Sequence, residues 1–320
     1  MTRLFRDLDG GPLCPNGSVV CIGAFDGLHL GHRALVTRAV ERARALALPA
    51  VALSFEPLPR EFFAGAVAPP RLQLPRTKLA GFRALGVDLV GLLRFNAAFA
   101  AMTPEAFVER LLVERMGARE VWVGPDFRFG RGRAGHLELL QRMGAPHGFA
   151  ADTIAPVALD GQPVSSTRIR AALQAGDFAT ATRLLGAPYA IAGRVVRGRQ
   201  LGRTLGYPTA NLRFGGKTPA LRGIYATRVH GVAPDPWPSV SSFGTRPTVD
   251  GKEPLLEAHL FDFDGDLYGK HIEVEFVARL RDEEKFPDLP TLVAQMNRDA
   301  EQARRLLGAD TKPTTERVSA

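Results

Sequence analysis

Between residues 19 and 124, short apolar runs alternate with longer stretches whose apolar residues recur at helical spacing. The runs at 19–23, 50–55, 87–93 and 120–124 read as strands, and 33–46, 78–85 and 104–116 as helices. Strand and helix in alternation predict a parallel sheet with helices on its faces. A further helix is expected to start near Ser165 and run to Gln174. After Leu185-Gly186-Ala187-Pro188 the pattern changes. Runs at 189–196, 223–229, 239–243, 255–261 and 271–276 are separated by turns, and helical periodicity returns only over 289–307. Closely spaced strands with one terminal helix predict a compact β-barrel. The expected boundary lies near residue 186, and the chain beyond about 310 reads as a frayed tail.

Composition changes this picture little. The 320 residues suffice for two ordinary domains, and 45% hydrophobic with 23% charged residues describes a soluble globular chain. No apolar run approaches the roughly 20 residues that span a bilayer, and no secretion signal opens the chain. Cys14 and Cys21 are too few for a disulfide framework. These features imply a cytoplasmic protein. The net charge of +8 invites a nucleic-acid reading. Against it, the arginines are scattered in pairs such as Arg131/Arg133 and Arg197/Arg199, with no stacking motif or finger beside them. Planar guanidinium groups also bind small anions.

Three segments carry candidate chemistry. The first strand leads through Gly23 into Ala24-Phe25-Asp26-Gly27-Leu28-His29-Leu30-Gly31-His32. This loop stands at the carboxyl end of a parallel strand and before a helix, where phosphates bind. Gly27 and Gly31 permit close backbone approach, and His29 and His32 can donate to phosphate oxygens. Zinc is the weaker reading of this histidine pair, since no third ligand accompanies it. The second segment, Ser165-Ser166-Thr167-Arg168-Ile169-Arg170, places hydroxyls and guanidinium groups at a helix start and makes an anion site. The third is Gly202-Arg203-Thr204-Leu205-Gly206-Tyr207-Pro208-Thr209-Ala210-Asn211. In an extended segment Thr209 and Asn211 face the same side, two hard oxygen donors suited to Mg²⁺ shared with phosphates. Glu257 alternates with Leu256 and Ala258; on the inward side of a barrel strand it is a candidate general base, and on the outward side an exposed strand carboxylate. Asp262, Asp264 and Asp266 read as a solvated turn. Asp126, after the strand at 120–124, could bind a hydroxyl or metal or cap its turn.

With these residues in order, the chain resembles the bacterial bifunctional riboflavin kinase/FMN adenylyltransferases, or FAD synthetases, over about residues 15–307. Phe25 through His32 with Ser165 through Arg170 resemble that family's nucleotidyltransferase motifs, and Gly206 through Asn211 its flavokinase motif, with Tyr207 where phenylalanine is common. Phe243-Gly244-Thr245-Arg246-Pro247-Thr248, Asp266-Leu267-Tyr268-Gly269 and Leu280-Arg281-Asp282-Glu283-Glu284-Lys285-Phe286 fit the same barrel.

The resemblance implies a Rossmann-like adenylyltransferase domain over 1–186, a six-stranded flavokinase barrel over 187–310 and a flexible tail over 311–320. It implies that the barrel phosphorylates riboflavin with ATP, and that the first domain joins FMN to AMP from a second ATP. Thr209 and Asn211 would hold Mg²⁺ and phosphates, and Glu257 would deprotonate the ribityl hydroxyl. His29, His32 and Arg168 would act in adenylyl transfer, with Gly23, Phe25, Asp26, Gly27, Gly31, Ser165, Ser166 and Thr167 around that ATP. Gly202 and Gly206 would lie at the kinase nucleotide, and Asp126, Phe127, Arg281 and Phe286 at flavin. The expected partners are riboflavin, FMN and ATP, with FMN and FAD as products. Neither nucleic acid nor membrane is expected, and the chain would be a monomer or weak homo-oligomer. One position departs from the family: Phe55-Glu56-Pro57-Leu58-Pro59 has leucine where many relatives carry histidine. The alternatives are a monofunctional nucleotidyltransferase with a flavin-binding barrel, and a flavin sensor or nucleic-acid binder without catalysis. Salt-sensitive RNA binding would favour the last.

Overall fold

A computed structural model describes residues 2–64, 68–198, 202, 205–215, 217–248 and 251–309, with the backbone alone for 245–248 and 251–253. Arg199, Arg203, Thr204, the side chains of Thr245 through Thr248 and the tail at 311–320 lie outside the described residues. The chain divides into two compact units. One holds Met1–Pro69 and Pro75–Ser166, the other Pro70–Leu74 and Thr167–Ala320.

The first unit is built on six parallel strands: β1 (Arg3–Phe5), β2 (Ser18–Ile22), β3 (Ala50–Glu56), β4 (Leu89–Arg94), β5 (Ala118–Val123) and β6 (Ala150–Thr153). Their order is β1-β4-β3-β2-β5-β6, and β7 (Ala158–Leu159) and β8 (Gln162–Pro163) pair as a separate two-stranded sheet. Every residue of β2 is buried, as a strand covered on both faces requires. Between the strands run α1 (Leu30–Ala45), α2 (Pro59–Ala64) and α3 (Pro75–Ala84), of which α1 and α3 bury Leu35, Val36 and Phe82 against the sheet. The chain winds outward from β2 through β3 and β4, then returns to add β5 on the other side of β2. The crevice at the carboxyl end of β2 is therefore the topological switch point. The strand β1 at the sheet edge, where only three residues pair, was not expected from the pattern. The helix expected over 104–116 has its i→i+5 ladder in Val108–Arg115; periodicity marks the apolar face without fixing the turn.

In the second unit, β9 (Ala190–Val196), β10 (Ala210–Arg213), β11 (Gly223–His230), β12 (Trp237–Thr248), β13 (Gly251–Leu260) and β14 (His271–Arg281) close a barrel in the order β10-β13-β12-β11-β14-β9. These neighbours pair antiparallel, and Asn211 opposite Val196 closes the ring. The interior is aromatic: Phe276 meets Tyr189, Tyr225 and Phe243 at ring separations of 5.8, 5.2 and 6.4 Å. The terminal helix (Leu289–Leu307) starts at Asp288, whose carboxylate accepts from Thr291 N at 2.8 Å, and ends at left-handed Gly308. Ala300 and Ala303 on this helix pack against Ala226, Val240 and Phe261 on the outer face of the barrel.

Candidate active sites

The loop after β2 holds an unusual backbone. Phe25 and Leu28 have φ of 49° and 41°, in the region non-glycine residues avoid. His29 caps α1: its Nδ1 accepts from His32 N at 3.3 Å, and the two imidazoles stack at 3.7 Å. Burial, His29 and Lys78, in that order, hold the His32 imidazole well below its ordinary pKa of 6.5. His32 Nδ1 is buried without a hydrogen-bond partner among the described residues. In the tautomer that puts the proton of the neutral ring on Nδ1, this nitrogen can donate to an incoming oxyanion at the helix start.

The segment that opens with Ser165 meets this loop through Ser166. Ser166 starts a helix (Ser166–Ala175), and its Oγ donates to Asp26 O at 2.9 Å. Ser165 precedes it, and Thr167 and Arg168 are the next residues of the helix. Asp26 is 3% exposed and Phe25 fully buried, edge-on to His32 at 5.3 Å. Gly23 continues β2, its N–H donating to Leu53 O at 3.1 Å. Gly27 has φ of 92°, and Gly31 lies in the first turn of α1.

A separate cavity of about 850 Å³ in the same unit is walled by Phe55, Phe95, Phe99, Phe127 and Phe129, with Arg60 and Arg128 at its margin. Phe127 stacks on Phe129 at 5.5 Å with 16° between the planes. A planar aromatic ligand bearing an anion matches this lining. Asp126 is exposed and does not line it. Leu58 is buried and meets polar groups through its backbone: its N–H donates to Glu61 Oε2 at 3.0 Å, and its carbonyl accepts from the N–H groups of Glu61 and Phe62 at 2.9 and 3.0 Å.

In the barrel, β10 and β13 place Asn211 directly across from Glu257. Asn211 Nδ2 donates to Thr209 O and Oγ1 at 3.0 and 3.2 Å, and Thr209 Oγ1 donates to Glu257 Oε1 at 3.4 Å. Asn211 is 4% exposed and its Oδ1 has no partner among the described residues. A buried oxygen left without a donor, beside a hydroxyl and a carboxylate, is the chemistry a hard divalent cation satisfies. The structure decides between the two placements open to Glu257. Glu257 does not point into the barrel: Leu256, Ala258 and Leu260 take the buried side. Glu257 shares the outer face with Val240 and Phe261, which the terminal helix covers. Alternation separates two faces without saying which is enclosed.

Two cavities meet at Thr209. The first, about 280 Å³, is lined by Tyr207, Glu257, His259, Arg281, Phe286 and Asp299, with Gly202 and Thr209. The second, about 510 Å³, is lined by Arg197, Pro208, Thr209, Asp264, Asp266 and Tyr268. Gly202 O accepts from Leu205 and Tyr207 N–H at 3.1 and 2.7 Å, and left-handed Gly206 completes the turn. Asp262, also left-handed, and Asp266 form the turn expected for them, Asp266 Oδ1 accepting from Tyr268 N at 2.8 Å.

Sequence reasoning passed over two residues here. Asp299 is buried and holds Arg281 through both carboxylate oxygens at 2.7–3.0 Å, while Arg281 lies over Phe286 at 5.6 Å. An acid among the buried positions Ala300 and Ala303 of an amphipathic helix was the available signal. His259 follows Glu257 by two residues and so shares its face; its Nδ1 meets Pro208 O at 2.9 Å, and burial lowers its pKa.

The family model described as FAD synthetase matches residues 12–168, and that described as riboflavin kinase matches 185–307. Proteins named bifunctional riboflavin kinase/FMN adenylyltransferase are similar over most of both chains. The Escherichia coli K12 relative is 44% identical over 93% of this chain and 95% of its own. That of Pseudomonas fluorescens is 44% identical over 91% and 93%, and that of Haemophilus influenzae 39% over 94% and 98%. A crystal structure from Streptococcus pneumoniae, described as a macrolide-efflux protein, superposes with a TM-score of 0.73 at 32% identity over 95% of this chain and 98% of that one. Efflux is said of that protein; among the described residues here, no helix is long and apolar enough to cross a membrane. With both family models matched in sequence order and these relatives aligned almost end to end, the chain belongs to the bifunctional riboflavin kinase/FMN adenylyltransferase family.

Proposed function

We propose that this chain makes FAD from riboflavin in two ATP-dependent steps, with the kinase site at Thr209, Asn211 and Glu257 and the adenylyl-transfer site at the loop from Phe25 to His32. The observation that carries the kinase site is Thr209 at the junction of two cavities, with Glu257 in the first alone. Riboflavin occupies the first, its ring against Phe286 and Arg281 and its ribityl end toward Glu257; ATP occupies the second. Glu257 takes the proton of the 5′-hydroxyl, the freed oxygen bonds to the γ-phosphorus, and the bond to the β,γ-bridging oxygen breaks to release ADP. Thr209 and the unpartnered Asn211 Oδ1 would hold Mg²⁺, which neutralises phosphate charge when bound.

In the first unit, FMN lies in the phenylalanine-walled cavity with Phe127 against its ring. A phosphate oxygen of FMN attacks the α-phosphorus of ATP and pyrophosphate leaves. His29, His32, Ser165 and Ser166 hold the triphosphate, and positioning with charge neutralisation supplies the catalysis. In this reading the adenylyltransferase domain is 1–186 and the kinase domain 187–310, working on small molecules in the cytoplasm. Glu257→Gln tests the assignment: it should block FMN formation and leave conversion of supplied FMN to FAD. Loss of both in a folded chain would refute it.

A further inference from the structure

Lys78 stands in no motif, yet it is 1% exposed, buried beneath the adenylyl-transfer loop. Its Nζ donates to Ala24 O at 2.7 Å and to Ser54 Oγ at 3.1 Å. Ser54 Oγ in turn donates to Ala24 O at 3.1 Å. Three polar groups thus close a knot at the point where β2 leaves the sheet, with Ser54 supplied by the neighbouring β3. Burying an ammonium group is costly, and a methionine would fill the same space without that cost. The charge itself therefore has a use.

The rest of α3 shows what that use is. Gly81 and Phe82 follow Lys78 by three and four positions, so all three share one helical face. Phe82 packs edge-on against Phe25 at 5.1 Å. Gly81 lies under Leu28, whose Cδ1 fills the space a Cβ would need. Each contact pins one residue of the loop: Ala24 by Lys78, Phe25 by Phe82, Leu28 by Gly81. Phe25 and Leu28 are the two non-glycine left-handed residues of this turn, and such backbone persists only where its surroundings over-determine it. The next residue, His29, caps α1 and stacks on His32.

We infer that Lys78 is a positioning residue for adenylyl transfer, its buried ammonium clamping Ala24 so that the face of α3 moulds the turn presenting His29 and His32 to ATP. It acts through the loop and touches no substrate. Its charge also faces His32, together with His29 from the loop, and both favour the neutral His32 imidazole; Asp26 is the acidic group of the same turn. The inference rests on the assignment of ATP to this loop, which His32→Ala tests separately.

The experiment measures FMN formation from riboflavin and FAD formation from supplied FMN, on the full chain, for wild type, Lys78→Met, Lys78→Arg, Gly81→Ala and His32→Ala. A loop displaced by about 1 Å should cost about a hundredfold in FAD formation, in kcat more than in KM for FMN. Lys78→Met is expected to show that loss while FMN formation stays within about twofold of wild type. Its residual FAD activity should have its acid limb at higher pH, because His32 has lost a repelling cation. Lys78→Arg should keep the limb near its wild-type position and recover part of the rate. Gly81→Ala, which keeps the lysine, should lower the rate without moving the limb, and serves if the methionine variant does not fold. FAD formation unchanged in Lys78→Met or in Gly81→Ala overturns the inference, as does a loss in Lys78→Met with an unmoved acid limb. Full FAD formation in His32→Ala would instead overturn the placement of ATP.

Discussion

Replacing Gly198 by alanine should cripple the kinase without removing any functional group. Gly198 follows β9, and its φ is not left-handed, so the backbone accepts alanine. The obstacle is the neighbour: a Cβ there would stand 2.6 Å from Asn211 Oδ1, 2.9 Å from its Cγ and 3.1 Å from its Nδ2. To bring that first contact from 2.6 Å to the 3.4 Å where ordinary contact starts, the amide must retreat, by about 0.8 Å. Asn211 has little room, being 4% exposed and tied to Thr209 O and Oγ1 at 3.0 and 3.2 Å. A displacement near 1 Å in a group that positions a reacting phosphate costs about a hundredfold, or about 2.7 kcal/mol in the barrier. The assay follows riboflavin to FMN by flavin chromatography and, on the same preparation, FMN to FAD. FMN formation should fall by about two orders of magnitude while FAD formation holds. A folded Gly198→Ala chain phosphorylating riboflavin at the wild-type rate would refute the role given to Asn211.

Other outcomes follow from the same geometry. Arg281→Lys loses the two-pronged grip of Asp299 and should raise KM for riboflavin about tenfold, with FAD formation from FMN unchanged; unaltered KM would separate Arg281 from the flavin. Phe127→Ala removes one of two stacked rings and should raise KM for FMN in adenylyl transfer by about tenfold, with the kinase unaffected. Because the folded state keeps His32 neutral, stability is full above the ordinary histidine pKa of 6.5 and falls as pH drops below it. Thermal unfolding should therefore depend less on pH in His32→Gln than in wild type across that window; identical dependence would contradict the buried neutral imidazole.

Much of this was legible in the sequence because the informative residues are close together along the chain. The loop from Phe25 to His32 carries its strand, its glycines and its helix start within a few residues, and Thr209 and Asn211 reveal their common side by spacing alone. Local pattern could also separate Leu256 from Glu257. It could not say that the terminal helix, more than thirty residues later, would cover the Glu257 side. The same limit hid Lys78 and Asp299. Each looks like a solvated charge until the fold brings Ala24 to one and Arg281 to the other. Leu58 illustrates the converse, a local departure whose backbone still ties to Glu61.

The most direct test of two independent sites in one chain is complementation. Glu257→Gln and His32→Ala chains are incubated with riboflavin, ATP and Mg²⁺, separately and mixed, and the flavins are resolved by chromatography. Glu257→Gln alone should leave riboflavin unchanged, His32→Ala alone should stop at FMN, and the mixture should yield FAD. Either folded variant losing both activities, or a mixture that stops at FMN, would contradict the assignment.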